Sequence, residues 1–514
     1  MTARFRAPTG DGELLAVPPL SEIAAQCDAN ARILNSSQTL LGRTPLSEIR
    51  LAAIPEVLEA SRAYLVESNV VPPSIRSRLL IAGHQPEFFH PGVWAKNFAV
   101  NRVAQRHGLA PLNLVVDNDT VKGTAIRVPT VAERPGDVRF EPLAFDDLHA
   151  ELPYEEHRRA NSGLFDSFLT RVKSLTQGWG FKPIVLDCWP TLQAEHDRGV
   201  PLWEAVSRLR RGLEQRWGVT NFELPVSKLA ETQVFTEFLG AIVEELPRFV
   251  RAYNASIQAY RVAHRLRSRN HPAPELERKG EWFESPFWIW RADLPKRERL
   301  FARRNEGGIE YQAGERSLGR QSPATLRSAG WKVRPRALAL TLFVRLCLAD
   351  GFIHGIGGGK YDEVTDSIIQ RFFGLKPPAY AVVSATLRLP ITRFFVTIDD
   401  EHNCQRQVRD WEWNPQREPE VQTRNARLVA RKQELIAKEP TTKADRRLWF
   451  RELQQVTREM RIPLGTRIEE GHGRERLIES QLAANTILGS REFTWLLFPE
   501  ERLRELLTRV AVSD

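Results

Sequence analysis

The stretch Leu79-Leu80-Ile81-Ala82-Gly83-His84-Gln85-Pro86 opens the most regular part of the sequence. Its first four residues form a short apolar run, which predicts a buried strand. A loop continues to Gly92, and the pattern over Val93 to Arg106 predicts a helix that stops at His107-Gly108. Leu112 to Val116 is a second predicted strand. A strand, a helix and a strand in this order predict a right-handed crossover in a parallel sheet.

Polar loops follow both predicted strands. The first carries His84, Gln85 and His90, and the second carries Asp117 and Asp119. Ligands of open α/β sheets bind at the carboxyl ends of the strands, so we expect these side chains to converge on one crevice. Histidine suits general acid or base catalysis near neutral pH, although a loop histidine can also be structural. The two carboxylates could hold a magnesium–phosphate group or simply cap the turn that follows.

A second informative stretch is Phe352-Ile353-His354-Gly355-Ile356-Gly357-Gly358-Gly359-Lys360-Tyr361-Asp362, which follows an apolar segment from Trp331 to Leu348. The apolar spacing beyond it predicts a helix with Asp362 as N-cap and Gly374 just past its end. Glycines before a helix let backbone N–H groups approach an anion, and Lys360 is placed to neutralise its charge. The alternative is a tight turn without a ligand. The spacing matches neither a P-loop nor the GxGxxG fingerprint.

Other segments add further elements. Phe181 to Asp187 and Tyr380 to Thr386 are predicted strands, and residues 201–266 are mainly helical. Phe287-Trp288-Ile289-Trp290 has strand composition, and Arg299 to Tyr311 has the pattern of a hairpin. The aromatic side chains around this strand could stack on bases or sugars, and the alternative is a packed core.

Arg424 to Met460 is charged and helical, and it is broken only at Glu439-Pro440-Thr441-Thr442. Sparse apolar residues along both halves suit a narrow seam, which predicts an antiparallel helical hairpin of coiled-coil type. Such arms commonly dimerise. The alternative is a solvated helix pair without a partner.

These elements predict an α/β fold with a Rossmann-like parallel sheet core, a small β-containing insert and an α-helical coiled-coil hairpin arm. The predicted regions are an N-terminal helical segment (1–75), the first part of the core with a helical region (76–280), a strand and hairpin insert (281–325), the second part of the core with the glycine-rich loop (326–400), the helical hairpin (401–470) and a C-terminal helical return to the core (471–514).

The composition of the chain limits the kinds of function and partner that we expect. The chain has 514 residues, of which 42% are hydrophobic and 27% charged, as in ordinary globular proteins. The net charge of +9 favours acidic ligands, but it is spread over a long chain, so nucleic-acid binding is not expected. Four scattered cysteines argue against a disulfide framework and predict a reducing cytoplasm. No apolar run is long enough to cross a bilayer, so no membrane partner is expected.

The order of these parts resembles bacillithiol synthase, the cysteine-adding enzyme of bacillithiol biosynthesis. In that family a strand ends in Thr-Gly-Gln-Gln before an aromatic loop, where this chain has Ala82-Gly83-His84-Gln85 and Phe88 to Trp94. A second family strand ends in Glu-Asp-His-Asp, where this chain has Asp117-Asn118-Asp119-Thr120. The later core is also similar, with Arg334-Pro335, the glycine stretch and Ser384-Ala385-Thr386.

The resemblance implies a Rossmann-like core, an ADP- or ATP-like nucleotide near it, and a coiled-coil arm that forms a homodimer. The family reaction joins cysteine to the glucosamine of glucosaminyl-malate through an amide bond. This chain departs from the family in three places. Gly358 and Lys360 replace the proline and glutamate of the family's Gly-Gly-Pro-Gly-Glu loop, Asn118 replaces a histidine, and His84 replaces a glutamine.

The sequence thus predicts a ligase-like or transferase-like enzyme that joins an amine-bearing sugar or similar molecule to an amino acid or related group. An anionic sugar or nucleotide would bind at the carboxyl ends of the core strands. The predicted catalytic residues are His84, His90, Asp117 and Asp119; the predicted ligand-binding residues are Gly83, Gln85, Trp94, Lys96, Asn118, His354, Gly355, Gly357, Gly358, Gly359, Lys360 and Tyr361; no metal ligand is predicted. The alternative is a non-catalytic nucleotide-binding scaffold that dimerises through its arm.

Overall fold

The computed structural model describes residues 5–148, 151–158, 161–438 and 440–510. Glu439, at the predicted break in the arm, lies outside the described residues, as do the two ends of the chain. The strands are β1 (Leu14–Val17), β2 (Leu40–Leu41), β3 (Thr44–Pro45), β4 (Leu79–His84), β5 (Ala110–Val115), β6 (Ala125–Pro129), β7 (Phe140–Ala144), β8 (Phe222–Pro225), β9 (Arg278–Lys279), β10 (Trp282–Arg291), β11 (Leu294–Asn305), β12 (Gly308–Ala313), β13 (Arg316–Arg320), β14 (Trp331–Pro335), β15 (Gly351–His354) and β16 (Ala381–Ala385).

Helices connect these strands and form the arm. They are α1 (Leu20–Asn35), α2 (Leu46–Glu67), α3 (Pro91–His107), α4 (Ser162–Thr176), α5 (Val185–Asp197), α6 (Leu202–Arg216), α7 (Val226–Leu229), α8 (Gln233–Glu244), α9 (Leu246–Ala263), α10 (Pro323–Ser328), α11 (Ala337–Phe343), α12 (Ile356–Ile368), α13 (Ile398–Trp413), α14 (Pro419–Arg424), α15 (Ala426–Ala437), α16 (Lys443–Arg461), α17 (Gly465–Leu488) and α18 (Glu500–Val510). π-helical turns extend α11 through Val344–Leu348 and α12 through Ile369–Phe373. Gly374 ends the latter with φ of 65°, as predicted for a residue just past a helix.

The central sheet has the strand order β1-β16-β15-β4-β5-β8. Strand β1 is antiparallel to β16, and the neighbours from β16 to β8 are parallel. The predicted β4–α3–β5 unit in a parallel sheet is confirmed. From β4 the chain steps outward through β5 to β8, then returns to the other side of β4 with β15 and β16. The strand order therefore reverses between β4 and β15.

One strand prediction needs correction, and two strands of the central sheet were not predicted. The predicted strand over Phe181 to Asp187 is wrong, because α5 begins at Val185 and buries Val185, Cys188, Trp189 and Leu192 at helical spacing. Strand β8 interrupts the region predicted to be mainly helical. Strand β1 adds an edge to the sheet from within the segment predicted to be helical.

A second, antiparallel sheet has the order β13-β12-β11-β10-β14, with β9 paired to β10. The predicted hairpin is confirmed, because Arg304 pairs with Ile309 across the turn between β11 and β12. Strand β14, which lies beyond the predicted insert, pairs with β10 along Phe287 to Arg291. This pairing ties the second sheet to α11, the helix that leads into β15.

The core lies on both faces of the central sheet. Alternate residues of β4 point in opposite directions, so Leu79 and Ile81 enter one apolar cluster while Leu80 and Ala82 enter the other. Helices α2, α8, α9, α11 and α12 contribute to the first cluster, and α1, α3, α4, α5, α6 and α18 contribute to the second. The molecule is thus a mixed α/β structure with helices on both faces of a mostly parallel sheet.

In the region predicted to form the helical hairpin, α15 and α16 pack against each other as an antiparallel pair. Arg431 Nε donates to Glu452 Oε1 at 2.9 Å, and Trp449 Nε1 donates to the Leu435 carbonyl at 2.7 Å. Val456 and Met460 are buried in the seam with Leu435. Across the described ranges, no helix is both long and apolar enough to cross a membrane.

Candidate functional site

A cavity of about 200 Å³ lies at the carboxyl ends of β4, β5 and β15. Six of the residues predicted to bind ligand or act in catalysis line it: Gly83, His84, Gln85, Asn118, Asp119 and His354. The other wall comes from the second sheet and α11, through Trp288, Arg297, Pro335, Arg336, Ala337, Leu340 and Thr341. The cavity therefore sits where the strand order reverses, which is the usual ligand position in open parallel sheets.

Asp119 connects the two walls. Its Oδ2 accepts from Gln85 Nε2 at 3.0 Å, and its Oδ1 lies 3.3 Å from Arg297 Nη1. Arg297 Nη1 also donates to the Asn118 carbonyl at 3.0 Å. Burial alone would raise the pKa of Asp119, but the Gln85 hydrogen bond, Lys122 and Arg297 together lower it. Asp119 is therefore a carboxylate that fixes both the loop after β4 and the Arg297 guanidinium.

Two arginines flank the Trp288 ring at the second wall. The Arg336 guanidinium lies 4.1 Å from the ring centroid and that of Arg297 lies 4.8 Å from it. Arg336 Nη2 donates to Glu284 Oε1 at 2.6 Å. In the described part of the chain, Arg336 Nε and Asn118 Oδ1 are buried without a hydrogen-bond partner. Buried polar atoms of this kind are usually satisfied, so a polar ligand in the cavity would find both available.

His84 is the last residue of β4, and one of its ring nitrogens is fixed. Nδ1 lies 3.0 Å from the Gln85 carbonyl, which can only accept, so Nδ1 carries the proton and Nε2 is left as an acceptor. Burial and the nearby Lys96 lower the pKa of His84 well below its usual value. The imidazole is therefore neutral near pH 7 and available as a proton acceptor.

His354, at the end of β15, is held by a buried chain of charges. Its Nε2 lies 2.8 Å from Asp362 Oδ2, and the same oxygen accepts from Arg345 Nη1 at 2.7 Å. Burial would raise the pKa of Asp362, but Arg345 and His354 hold it well below the usual range. Burial lowers the pKa of His354 despite this carboxylate. His354 is thus a neutral imidazole with its proton on Nε2.

Lys96 lies beneath the loop after β4. Its side chain is buried, with the residue 3% exposed, and Nζ donates to the Gly83 carbonyl at 2.8 Å. Burial lowers the pKa of Lys96 to about 8. Within the described ranges, no carboxylate lies within ion-pair distance of its ammonium. This buried charge raises the positive potential beside the cavity and lowers the pKa of both His84 and His354.

The glycine stretch begins a helix and does not form the predicted loop. Gly355 is the N-cap of α12, and Gly359 N already donates to the Gly355 carbonyl at 2.9 Å. The prediction of Asp362 as N-cap is wrong, because Asp362 lies inside the helix and is buried against Arg345. Gly358 faces the His354 ring, and a Cβ there would lie 2.7 Å from Nδ1. Gly359 packs against Val382 of β16 with no room for a side chain.

Several predicted site residues lie elsewhere. His90 is the N-cap of α3 and accepts from Gly92 N at 3.1 Å, and burial lowers its pKa to about 3. Asp117 is fully buried and accepts from Ser227 N at 2.9 Å, so it caps α7. Trp94 is completely buried and donates to Glu214 Oε1 at 2.7 Å.

Three further residues predicted to bind ligand also lie outside the cavity. Lys360 is exposed on α12, and Tyr361 beside it packs edge-on against His271 at 5.1 Å between ring centroids. Neither lines the cavity of the central sheet, and nor does Gly357, which has open space around it. The cavity therefore takes its positive charge from arginines of other elements.

Sequence reasoning missed Trp288, Arg297 and Arg336 as site residues. The aromatic strand offered two interpretations, and both apply: Phe287 and Ile289 are buried in the apolar core, whereas Trp288, which lies between them on the opposite face of β10, lines the cavity. The alternation along β10 was therefore a usable signal for Trp288. Arg297 lies on β11 and carries no local signal.

Neither the family models nor the curated proteins match this sequence. Among the residues that the structure describes, no group of three or more His, Cys, Asp or Glu side chains could hold a metal ion.

Proposed function

We propose that this chain is an enzyme with a Rossmann-like core that binds an anionic sugar or nucleotide in the cavity at the carboxyl edge of the central sheet. The observation that carries the proposal is the convergence of the ends of β4, β5 and β15 on one cavity, at the reversal of strand order. Crevices in this position hold the ligands of Rossmann-like folds.

The charges around the cavity favour an anion. Arg297 and Arg336 line it, and Lys96 lies beside it without a carboxylate partner in the described ranges. The opposing carboxylates are Asp119 and Glu284, each already engaged by an arginine. Because guanidinium groups bind phosphate and carboxylate in a fixed fork geometry, the arginine pair suits a phosphate or carboxylate ligand.

We infer an acyl-transfer reaction to an amine, as the resemblance to bacillithiol synthase implies. In this reaction the amine nitrogen forms a bond to a carbonyl carbon, and the bond from that carbon to an anionic leaving group breaks. The amine proton passes to Nε2 of His84, which is neutral and oriented by its Nδ1–H. The departing anion remains on Arg297 and Arg336. An ATP-like nucleotide would fit this scheme as the phosphate source: phosphorylation of the carboxylate would release ADP and form an acyl phosphate, and phosphate would then be the leaving group that the amine displaces.

The arm is proposed to be a coiled-coil dimerisation element. Ile436 and Leu448 are 55% and 65% exposed on α15 and α16, although both are apolar. A second copy would cover them. Replacing both by Gln should convert a dimer to a monomer in sedimentation velocity, whereas a monomeric wild type would contradict this assignment. The four buried free cysteines support the proposed cytoplasmic location, where thiols stay reduced.

Turnover tests the catalytic part of the proposal. Thermal-shift measurements with nucleotides, amino sugars and cysteine identify ligands of the native state, because such ligands raise its apparent stability. Mass spectrometry of mixtures of these ligands then detects an amide product. We expect His84→Gln to lower turnover by about 10²- to 10⁴-fold and to leave ligand binding intact.

His107→Gln is the matched control, because His107 is an exposed histidine at the end of α3. It should leave turnover unchanged. Ligand binding without any amide product would contradict the enzymatic proposal and favour the nucleotide-binding scaffold.

A further inference from the structure

A second and larger cavity, of about 300 Å³, lies on the other side of the loops that follow β4 and β5. Pro86, Glu87 and Phe88 line it directly after His84 and Gln85 of the first cavity. Val121 and Lys122 line it shortly after Asn118 and Asp119. The same two loops therefore form a common wall between the cavities.

The body of this second cavity is apolar. Phe88, Phe145, Ile126, Leu202 and Val206 line it. The Phe88 and Phe145 rings meet edge-to-face with centroids 5.4 Å apart, and Phe145 is packed in the same way against the buried Phe168. The pocket is thus preformed by a rigid aromatic cluster, which suits an apolar or aromatic group.

One carboxylate in this apolar lining lacks a basic partner. Glu87 is half-buried, and its Oε1 accepts from Tyr154 Oη at 2.6 Å. Burial and Glu87 raise the pKa of Tyr154, so the phenol keeps its proton and remains a donor. Within the described ranges, Glu87 takes part in no ion pair. A cation would complete its environment.

The other charged groups of the lining already have partners. Lys122 lies 3.6 Å from Asp119, and Arg127 stacks on Phe140 at 3.9 Å from the ring centroid. His157 Nε2 lies 3.1 Å from Asp146 Oδ2. Glu492 lies 3.4 Å from Arg491. Glu87 is therefore the residue of the lining that is best placed to select a cationic ligand.

We propose that this second cavity binds a small primary amine with an apolar or aromatic body, its ammonium group on Glu87 and its body against Phe88 and Phe145. The proposal goes beyond the proposed function, because the two loops form a wall between this cavity and the anion site. The amine is therefore a separate ligand and not the acceptor of the proposed reaction.

Isothermal titration of the full-length protein with phenethylamine tests the proposal. Three probes separate charge from shape: phenethylamine, 3-phenylpropionate of similar size and opposite charge, and glucosamine. We expect phenethylamine to bind, 3-phenylpropionate not to bind, and glucosamine to bind more weakly. Absence of phenethylamine binding, or stronger binding of either other probe, overturns the proposal.

Glu87→Gln should weaken phenethylamine binding by about 10- to 100-fold, because a charge-assisted hydrogen bond is lost. Tyr154→Phe is the matched variant: it removes the phenol but keeps the carboxylate, so binding should be retained. Loss of phenethylamine binding in Tyr154→Phe, together with unchanged binding in Glu87→Gln, would show that Glu87 does not bind the ammonium group and would overturn the proposal.

Folding and the anion site are controlled separately. If Glu87→Gln is destabilised, Phe88→Leu provides a second variant. This substitution keeps an apolar wall but removes the aromatic ring, so it should weaken the binding of phenethylamine and leave anion binding in the first cavity unchanged. Arg297→Gln alters the first cavity and should leave phenethylamine affinity unchanged. If the wild-type protein binds phenethylamine but no anion, the proposed function is contradicted and this inference stands. If it binds an anion but no phenethylamine, this inference alone is overturned.

Discussion

His354 Nε2 lies 2.8 Å from Asp362 Oδ2, and this buried contact links the end of β15 to the second turn of α12. The contact requires the first turn of α12 to pass close to the imidazole ring. Gly358 meets this requirement, because a Cβ at this position would lie 2.7 Å from His354 Nδ1. The glycines thus serve the placement of a histidine in the candidate site.

Substitution of two adjacent glycines should therefore have opposite effects. Gly358→Ala should displace the His354 ring and destabilise the fold by about 1–3 kcal/mol, the usual cost of overpacking. Gly357→Ala meets nothing within 4 Å and should stabilise α12 by about 0.5–1 kcal/mol. Urea unfolding of both variants measures the difference. Equal effects of the two substitutions would contradict this role for Gly358.

Lys96→Met should stabilise the protein at neutral pH. Because burial lowers the pKa of Lys96 from 10.5 to about 8, keeping its charge in the folded state costs about 3 kcal/mol. The unfolded state binds the proton more tightly, so wild-type stability should rise as pH increases from about 8 to 10.5. Met fills a similar volume without charge, and this rise should disappear in urea titrations of the variant.

The same variant has a spectroscopic signature. Lys96 lowers the pKa of His84 and of His354, so both values should rise in Lys96→Met when followed by NMR. Unchanged histidine titrations would show that the Lys96 ammonium does not act on the site.

Two neighbouring aspartates should respond to pH with opposite signs. Burial and Glu155 raise the pKa of Asp117 from 3.8 to about 7, so this group lowers stability as pH rises through that interval. The pKa of Asp119 is lowered, so this group adds stability above pH 3.8 that is lost on acidification. At about pH 8, Asp117→Asn should therefore stabilise and Asp119→Asn should destabilise.

Thermal unfolding at about pH 8 and about pH 3 measures both effects, which should shrink at the lower pH. Destabilisation by Asp117→Asn at the higher pH would contradict the buried, high-pKa assignment. Ligand affinity should survive this variant, because Asp117 caps α7 and does not line the cavity.

The sequence could predict one wall of the site because parallel strands bring their carboxyl ends to the same edge. His84, Asn118 and His354 each end or follow a strand of the central sheet, and they meet at the cavity as this rule requires. Side-chain direction within a loop has no such rule. Asp117 turns inward to cap α7, whereas Asp119 turns to the cavity two residues later.

The other wall could not be predicted locally. Arg297 reaches the cavity because it contacts Asn118 and Asp119 of the loop after β5, and this tertiary relationship leaves no pattern in its own strand. The glycine stretch is predicted as a loop before a helix, which agrees with the low helix propensity of glycine. Close packing of Gly358 on His354 and of Gly359 on Val382 overrides that preference.

The affinity of ATP for the wild type and for Arg297→Gln, measured by isothermal titration, tests the anion site most directly. Arg303→Gln is the matched control, because Arg303 lies on the same strand, stacks on Trp282 at 4.6 Å and pairs with Glu310 at 2.7 Å, outside the cavity. We predict that the wild type binds ATP, that Arg297→Gln weakens it by about 10- to 100-fold and that Arg303→Gln changes it by less than about twofold. Equal affinities of the wild type and Arg297→Gln, or no wild-type affinity for ATP or pyrophosphate, would contradict an anionic ligand at this edge of the sheet.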